Sequence, residues 1–285
     1  MALDSSVPFG VSPAWFISKF GEGFTLAQMV SQLPTIHSLG FDFWQPEVFR
    51  KEDLQSWTPG DISKLNRVQA DLGVSPSQGV AHFLMNDFTS PDSLRAKVGL
   101  PYFRDLLAKA KTIDGFKRIC FPLPPFIFSP GLDYLTSYEM LRSYVAQLLE
   151  MTQAMGFELT VEIMPGSLVQ GTEGFLRLWN ELGSPAHFGF CLDSGHVWGG
   201  REHLVSLPQR LGMQLRSTHL GDHDGSELVK KAPGRGTVPF EALLREVYQS
   251  GYDGSLDIEF VCEPSAVENQ YKQGLEYLKG ILKSL

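Results

Sequence analysis

Cysteine is scarce in this sequence. Cys120, Cys191 and Cys262 are the only three among 285 residues. They are too few and too widely spaced for a disulfide framework, and they lack the Cys-x-x-Cys spacing of a structural zinc site. The chain begins MALDSSVPFG, with no Lys or Arg ahead of an apolar core, which argues against a secretory signal. We therefore expect a reducing compartment, the cytoplasm.

Long apolar runs and an excess of positive charge are also missing. No stretch of about 18 consecutive apolar residues occurs, which excludes a membrane span of ordinary length. Lys and Arg number 24 against 32 Asp and Glu, a formal net charge of -8, so the chain lacks the basic excess that binds nucleic acid or anionic lipid. We expect neither a nucleic-acid partner nor a membrane partner.

The composition is that of a folded protein. Hydrophobic residues make up 43% and charged residues 20% of the chain, which excludes intrinsic disorder. No composition break, low-complexity tract or flexible linker divides the sequence. We therefore expect one domain over residues 1–285.

Short apolar or β-branched segments alternate with longer amphipathic segments along the chain. This alternation is typical of a parallel sheet covered by crossover helices, an α/β fold. The predicted strands are residues 15–18, 41–46, 79–83, 118–122, 158–164, 188–193, 216–220 and 255–261. The predicted helices include residues 25–39, 94–111, 137–155, 172–182, 202–211 and 239–249.

Eight strands followed by helices predict a (β/α)8 barrel, the TIM barrel architecture. Division of 285 residues by eight gives about 36 per unit, the size of one parallel crossover unit. An open, doubly wound sheet of the Rossmann type is the alternative. Its GxGxxG turn after the first strand is missing, because Gly21 and Gly23 are followed by Phe24.

Four polar residues fall at the carboxyl ends of the last four predicted strands, where barrel enzymes build their sites. They are Glu162 in LTVEIMP, Asp193 in FGFCLDSGH, His219 in RSTHLGDHDG and Glu259 in LDIEF. Successive members are separated by 31, 26 and 40 residues, close to the length of one unit. We therefore expect all four side chains to point toward one axis.

Three carboxylates and an imidazole in one cleft would repel one another unless a cation lay between them. Oxygen-rich ligation with one nitrogen and no thiolate favours one hard or borderline divalent ion, with Mn²⁺ first and Mg²⁺, Co²⁺ and Zn²⁺ left open. Taken singly, each residue has an alternative role as a buried ion-pair partner or a core histidine. The set of four at matching strand ends favours the metal site.

The segments VEIMP, CLDSGH, STHLGDHDG, APGRGTVPFEALL and GYDGSLDIEF resemble the second half of the xylose-isomerase-like barrel superfamily, over residues 155–262. This superfamily includes sugar isomerases, ketose 3-epimerases, inosose dehydratases and endonuclease-IV-type nucleases. The resemblance places the family's metal ligands on the four residues above and a substrate or second-metal contact on His196. It places the family's PGxG turn on residues 233–236, which would bring Lys231 or Arg235 near the substrate's oxygens.

Two departures disfavour the nuclease branch of this superfamily. The resemblance implies a three-zinc site for that branch. Such a site needs a His that closes strand four and an Asp-x-His pair before the PGxG turn. Here strand four closes in Cys120, Phe121 and Pro122, and residues 228–231 read LVKK. The acidic net charge agrees, because a DNA-binding enzyme ordinarily presents a basic surface to phosphates.

One metal supports proton-transfer chemistry on a sugar or a related polyhydroxy ketone. A chelated carbonyl and hydroxyl have their C–H acidity raised through a metal-stabilised enediolate. Glu162 and Glu259 are the candidate acid and base, one removing the proton and the other returning it. This predicts an isomerase or epimerase, with an inosose-type dehydratase (a lyase), an endonuclease-IV-type nuclease and a non-catalytic sugar-binding barrel as alternatives.

Several further residues are candidates for the substrate pocket. Trp15 and Trp198 lie near predicted strand ends, and each is either a pocket wall for a sugar or a core aromatic. His82 closes the third predicted strand and either faces the cleft or is a hydrogen-bonded core histidine. No phosphate-binding glycine loop is evident beyond the PGRG turn, which favours an unphosphorylated substrate. By analogy with barrel enzymes of this kind we expect a homo-oligomer.

Overall fold

The computed structural model describes residues 7–225 and 230–285. Leu228 and Val229, which entered the comparison with the nuclease branch, lie outside the described residues, as do residues 1–6. The strands are β1 (Phe9–Val11), β2 (Phe43–Trp44), β3 (Ser75–Pro76), β4 (Gly79–Val80), β5 (Arg118–Leu123), β6 (Glu158–Ile163), β7 (Phe188–Asp193), β8 (Leu215–His219) and β9 (Leu256–Ile258).

The strands are parallel and close into a barrel. They pair in the orders β3-β2-β1-β9 and β4-β5-β6-β7-β8. Parallel bridges from Glu47 to Val80 and from Leu220 to Ile258 join the two groups at both seams. Because β3 and β4 are separated only by Ser77 and Gln78, they form one interrupted barrel strand. The predicted (β/α)8 barrel is confirmed.

Helices cover the outside of the barrel. They are α1 (Ala14–Phe20), α2 (Leu26–Ser38), α3 (Pro59–Leu72), α4 (Pro91–Ala96), α5 (Leu100–Ala110), α6 (Tyr134–Met155), α7 (Gly171–Glu181), α8 (Ser194–Gly199), α9 (Leu207–Leu211), α10 (Phe240–Gln249) and α11 (Val267–Ser284). Short 3₁₀ helices cover Lys51–Ser56, His82–Phe88, Leu204–Ser206 and Gly212–Gln214. Within the described ranges, no helix combines the length and apolarity needed to span a bilayer.

Four sequence expectations differ from the structure in detail. In the predicted strand 79–83 only Gly79–Val80 is strand, and His82 begins a 3₁₀ helix instead of closing the strand. Residues 15–18 form helix α1 and not a strand, since Ser12 accepts the backbone N–H of Ala14 and starts a helix there. The first barrel strand is β1, which is too short and too glycine-rich to be read from periodicity. The predicted helix 94–111 is two helices, because Lys97 adopts a left-handed conformation with φ of 48°. The predicted helix 202–211 is a 3₁₀ turn followed by α9, which begins at Leu207–Pro208.

Gly10 lies in β1 at a close contact of this strand with the neighbouring strands β2 and β9. It pairs with Phe43 of β2 and Asp257 of β9. A Cβ atom placed there would lie 1.9 Å from Oδ1 of Asp257 and 3.0 Å from Cβ of Phe43. Glycine is therefore required at this position for the barrel to close around the buried Asp257 carboxylate.

We predict that Gly10→Ala lowers the free energy of unfolding by about 2 kcal/mol or more, because an added methyl group overpacks this contact. Gly280→Ala is the matched control, since Gly280 lies in α11 with open space around it. Alanine there should raise stability by up to about 1 kcal/mol through helix propensity. Urea unfolding of both variants measures the difference, and equal midpoints would contradict the packing argument.

Candidate active site

The four residues singled out by their strand ends lie together at the carboxyl end of the barrel. Glu162 is near the end of β6, Asp193 and His219 are the last residues of β7 and β8, and Glu259 follows β9. Each offers one ligand atom to a group in which all four atoms lie within 4.8 Å of one another. Parallel strands bring residues that are far apart in sequence to a single point, as the sequence analysis expected.

His219 is the central member of this cluster. Its Nδ1 lies 3.0 Å from Oε2 of Glu162 and 3.4 Å from Oε1 of Glu259, so the two carboxylates flank one imidazole nitrogen. Neighbouring ligand atoms bound at about 2.1 Å to one ion are about 3.0 Å apart in octahedral and about 3.4 Å apart in tetrahedral coordination. The donor set of three carboxylates and one imidazole, at these spacings, fits a divalent ion.

A buried polar layer below the cluster orients His219. Its Nε2 lies 2.9 Å from Oε1 of Gln45, and Nε2 of Gln45 donates to Oδ2 of Asp257 at 2.7 Å. Gln78 approaches the same imidazole nitrogen at 3.2 Å, and its Oε1 accepts the Thr160 hydroxyl. With Nε2 held by an amide oxygen, Nδ1 is the nitrogen that faces the carboxylates.

Asp193 and His196 are joined by the start of helix α8. The backbone N–H of His196 donates to Oδ1 of Asp193 at 2.8 Å, which leaves Oδ2 facing the cluster. The His196 side chain returns to the same place, with Nε2 at 3.2 Å from Oε1 of Glu162 and 3.7 Å from Oδ2 of Asp193. The structure therefore brings His196 to the cluster.

Lys230 is a member of the cluster that the sequence analysis missed. Its Nζ contacts carboxylate oxygens of Asp193 and Glu259 and lies 3.9 Å from Oε1 of Glu162. Its only sequence signal is its proximity to the PGRG turn, and the adjacent Lys231 shares that signal. Periodicity does not separate two neighbouring lysines in a loop.

The electrostatic environment drives the pKa values of the two glutamates apart. Burial opposes ionisation of Glu162, but the charges and hydrogen bonds of His219 and His196, with Lys230, hold its pKa well below the usual value. Burial raises the pKa of Glu259 to about 7, although His219 and Lys230 act in the opposite direction. Two carboxylates on the same imidazole thus differ in proton affinity.

A second group of candidate ligands lies deeper, where Cys120, Glu162 and Cys191 offer atoms within 4.8 Å of one another. Burial raises the pKa of the Cys191 thiol well above its ordinary value. Because the thiolate and not the thiol binds metals, this group is the weaker candidate.

Glu162, His219 and Glu259 of the cluster line a cavity of about 350 Å³, together with His196 and Lys230. Apolar side chains that include Ile17, Met85, Met164 and Phe260 line its sides. His82 also lines it, with Nδ1 at 3.0 Å from Oε1 of the buried Glu47 and its ring stacked on Phe49 at 4.0 Å. A small cavity with apolar sides and a few convergent polar groups is typical of a small-molecule site.

Four other candidate residues do not line this cavity. Trp15 is fully buried in the core, edge-on to Tyr271 at 5.0 Å, because helix α1 replaces the expected strand. Trp198 donates its indole N–H to Thr237. Lys231 pairs with Asp224, and Arg235 is exposed and donates to Gln273 of α11.

Asp222 fixes the PGRG turn by hydrogen bonds. Its Oδ2 accepts the backbone N–H groups of Gly234 and Gly236 at 2.9 and 2.8 Å, and its Oδ1 accepts those of His223 and Val238 at 2.8 and 3.0 Å. Residue 236 must be glycine, since a Cβ there would lie 2.4 Å from Oδ1 of Asp222. One buried carboxylate thus holds Gly234, Gly236 and Val238 against residues 222 and 223.

We predict that Asp222→Ala lowers the free energy of unfolding by about 3 kcal/mol, because four backbone donors lose a charged acceptor. The exposed Asp253→Ala is the control and should change stability by less than about 0.5 kcal/mol. Urea denaturation compares the two. A wild-type midpoint for Asp222→Ala would show that the turn holds its shape without this carboxylate.

The closed parallel barrel carries, at its carboxyl end, an acidic cluster that could hold a metal ion. These two features place the protein among the parallel α/β barrels with a site at the strand ends. The chain belongs to the xylose isomerase-like TIM barrel family, whose model matches residues 33–281. This membership confirms the family resemblance of the sequence segments quoted above.

The individual relatives share only a small fraction of their residues with this chain. Fructoselysine 3-epimerase of Escherichia coli O157:H7 is 26% identical over 146 residues, which cover 50% of this chain and 53% of that protein. The chain therefore spans about half the length of this curated relative. D-psicose 3-epimerase with D-tagatose from Clostridium cellulolyticum H10 shares the fold at a TM-score of 0.79 and 15% identity, over 96% of this chain and 99% of that chain. The IOLI protein, solved with a zinc atom, does so at a TM-score of 0.73 and 15% identity, over 96% of each chain.

Proposed function

We propose that this protein is a divalent-metal-dependent isomerase or epimerase of a monosaccharide or a related polyhydroxy ketone. The observation that carries the proposal is the convergence of Glu162, Asp193, His219 and Glu259, three of which line the same cavity. The similarity to a fructoselysine 3-epimerase and to the fold of a D-psicose 3-epimerase supports the same reaction class.

The four clustered side chains would hold the metal ion. When bound, a divalent ion supplies charge stabilisation to oxygens of the substrate and makes the neighbouring C–H group more acidic. Mn²⁺ is our first choice on the donor set, and Mg²⁺, Co²⁺ and Zn²⁺ fit the same donors. The zinc atom in the related IOLI structure supports a divalent ion as the class of cofactor.

Glu162 and Glu259 are the proposed acid and base. They flank Nδ1 of His219 from two different barrel strands, so they reach a bound substrate from different directions. One carboxylate would remove the proton from a carbon next to the carbonyl group. The other would return a proton to the opposite face for epimerisation, or to the neighbouring carbon for isomerisation.

The charges around the cavity favour a substrate without phosphate. Glu47, Glu162 and Glu259 line it, whereas Lys230 is the one Lys or Arg side chain among the described lining residues. A phosphate group would meet carboxylates with little positive charge to bind it. His82, held by Glu47, and His196 are the proposed hydrogen-bonding partners of sugar hydroxyls.

The nuclease alternative is disfavoured by the same residues that shape this cavity. Pro122 lines it at the end of β5, where a further metal-ligating His would be needed, and Lys230 lies where an additional ligand would precede the turn. The dehydratase uses the same acid and base, and it differs only in the loss of water. It is therefore a distinguishable outcome of the first experiment below.

We predict exchange of substrate protons with solvent. The Mn²⁺-loaded protein in D₂O, given free ketoses such as D-psicose, D-tagatose and L-ribulose, should place deuterium on the carbon next to the carbonyl, because the carboxylates exchange protons with water. Nuclear magnetic resonance of the recovered sugars measures the label, and mass spectrometry detects any dehydrated product.

The matched variants are Glu162→Gln, Glu259→Gln and, as the control, Glu276→Gln on the exposed side of α11. Loss of one catalytic carboxylate should lower the exchange rate by at least about 100-fold, since general acid–base catalysis contributes roughly that factor. The control should keep the wild-type rate. Full exchange by either cluster variant, with metal bound, would remove that residue from the acid–base role.

We also predict that metal removal lowers thermal stability. Dialysis against a chelator should reduce the melting temperature, and restored Mn²⁺ at about 100 times its Kd should return about 2.7 kcal/mol. Asp193→Asn should lose this response, because it removes one carboxylate of the cluster. A melting curve that ignores chelator and metal alike would contradict a divalent ion at this site.

Other expectations stay predictions. Substrate contacts by Lys231, Arg235, Trp15 and Trp198 would require side-chain positions different from those described above. One domain over residues 1–285, a cytoplasmic location and a homo-oligomer are likewise predictions, and size-exclusion chromatography tests the last.

A further inference from the structure

The Lys230 side chain extends into the acidic cluster. Its Nζ contacts Asp193 and Glu259 and lies 3.9 Å from Glu162, and its side chain is only 16% exposed. The charges of Asp193, Glu259 and Glu162 outweigh burial and raise the pKa of the Lys230 ammonium. Lys230 is therefore a buried cation with three carboxylates around it.

Two glycines make room for the aliphatic part of Lys230. A Cβ atom at Gly195 would lie 2.8 Å from Cγ of Lys230, and one at Gly221 would lie 2.4 Å from the carbonyl oxygen of Glu259 and 2.9 Å from Cδ of Lys230. Gly195 is in α8 and Gly221 follows β8, so glycines from two different barrel units form a groove for this one side chain. Any larger residue at either position would clash with the lysine stem.

The backbone next to Lys230 is also fixed. Asp222 and Lys231 form an antiparallel bridge in which each backbone N–H donates to the other residue's carbonyl oxygen at 2.8 Å. Asp222 is itself anchored to the PGRG turn. The ammonium can therefore leave the cluster by rotation of its side chain while its backbone stays at the cavity.

We propose that Lys230 is a tethered cation that competes with the divalent metal ion for the carboxylates of Asp193, Glu259 and Glu162. The inference rests on the proposed metal site. An ammonium and a divalent ion repel each other and need the same carboxylate oxygens, so binding of one requires withdrawal of the other. Competition of this kind lowers the apparent metal affinity by the factor through which the two cations are coupled.

The test compares Mn²⁺ binding to full-length chains after treatment with a chelator. Lys230→Met keeps most of the stem and removes the charge, Lys230→Arg keeps the charge, and Lys231→Met is the matched control one residue away. Isothermal titration calorimetry gives the Kd, and electron paramagnetic resonance of free Mn²⁺ checks it. Circular dichroism establishes that each variant is folded.

We expect Lys230→Met to bind Mn²⁺ about tenfold more tightly than the wild type, the usual scale of coupling between two sites. Lys231→Met and Lys230→Arg should stay within about threefold of the wild type. In chelator, Lys230→Met should melt at a lower temperature than the wild type, because the carboxylates lose their counter-charge, and saturating Mn²⁺ should remove the difference.

The failures of the two proposals are distinguishable. Equal Mn²⁺ affinity of folded Lys230→Met and wild type overturns the competition and leaves the metal site in place. Tighter binding by Lys231→Met as well as by Lys230→Met also overturns it, since the effect would then be general loss of positive charge. Absence of Mn²⁺ binding in every chain, Lys230→Met included, overturns the metal site and the competition together.

Discussion

Like-charge repulsion at one point of the barrel is the constraint on which the rest of the site depends. Glu162, Asp193 and Glu259 lie at or next to three strand ends, and their carboxylates converge around His219. Buried carboxylates this close are stable only with positive charge among them. The imidazole, the Lys230 ammonium and the proposed metal ion are three answers to that requirement.

Polar residues inside the barrel orient the side chains of this cluster. Asp257, Gln45 and Gln78 form a hydrogen-bonded layer directly beneath His219, in a region that apolar residues would pack more simply. Gly10 leaves space for the Asp257 carboxylate. The polar layer fixes the orientation of the imidazole, so that its Nδ1 faces the carboxylates. The layer replaces apolar side chains that would otherwise fill this part of the core.

The position of a site residue can be predicted from the sequence where one local signal determines it. Glu162, Asp193 and His219 end regular strands, so strand period and unit length were enough to bring them together. The prediction failed for Trp15, whose aromatic run is typical of a strand although Ser12 starts a helix, and for Lys230, which lies in a loop. Loop side chains are placed by tertiary contacts, here by the space at Gly195 and Gly221, and no periodicity encodes those contacts.

Charge balance connects the cluster to the kind of substrate that we propose for it. Three ionised carboxylates would carry three negative charges, which the proposed divalent ion and the Lys230 ammonium together would neutralise. Withdrawal of Lys230 from the carboxylates would keep its charge at the cavity, because the bridge between Asp222 and Lys231 holds its backbone. A site neutral in this way, with Glu47 adding a further negative charge beside His82, has no surplus positive charge for an anion. The electrostatics therefore favour a neutral polyhydroxy ketone over a sugar phosphate.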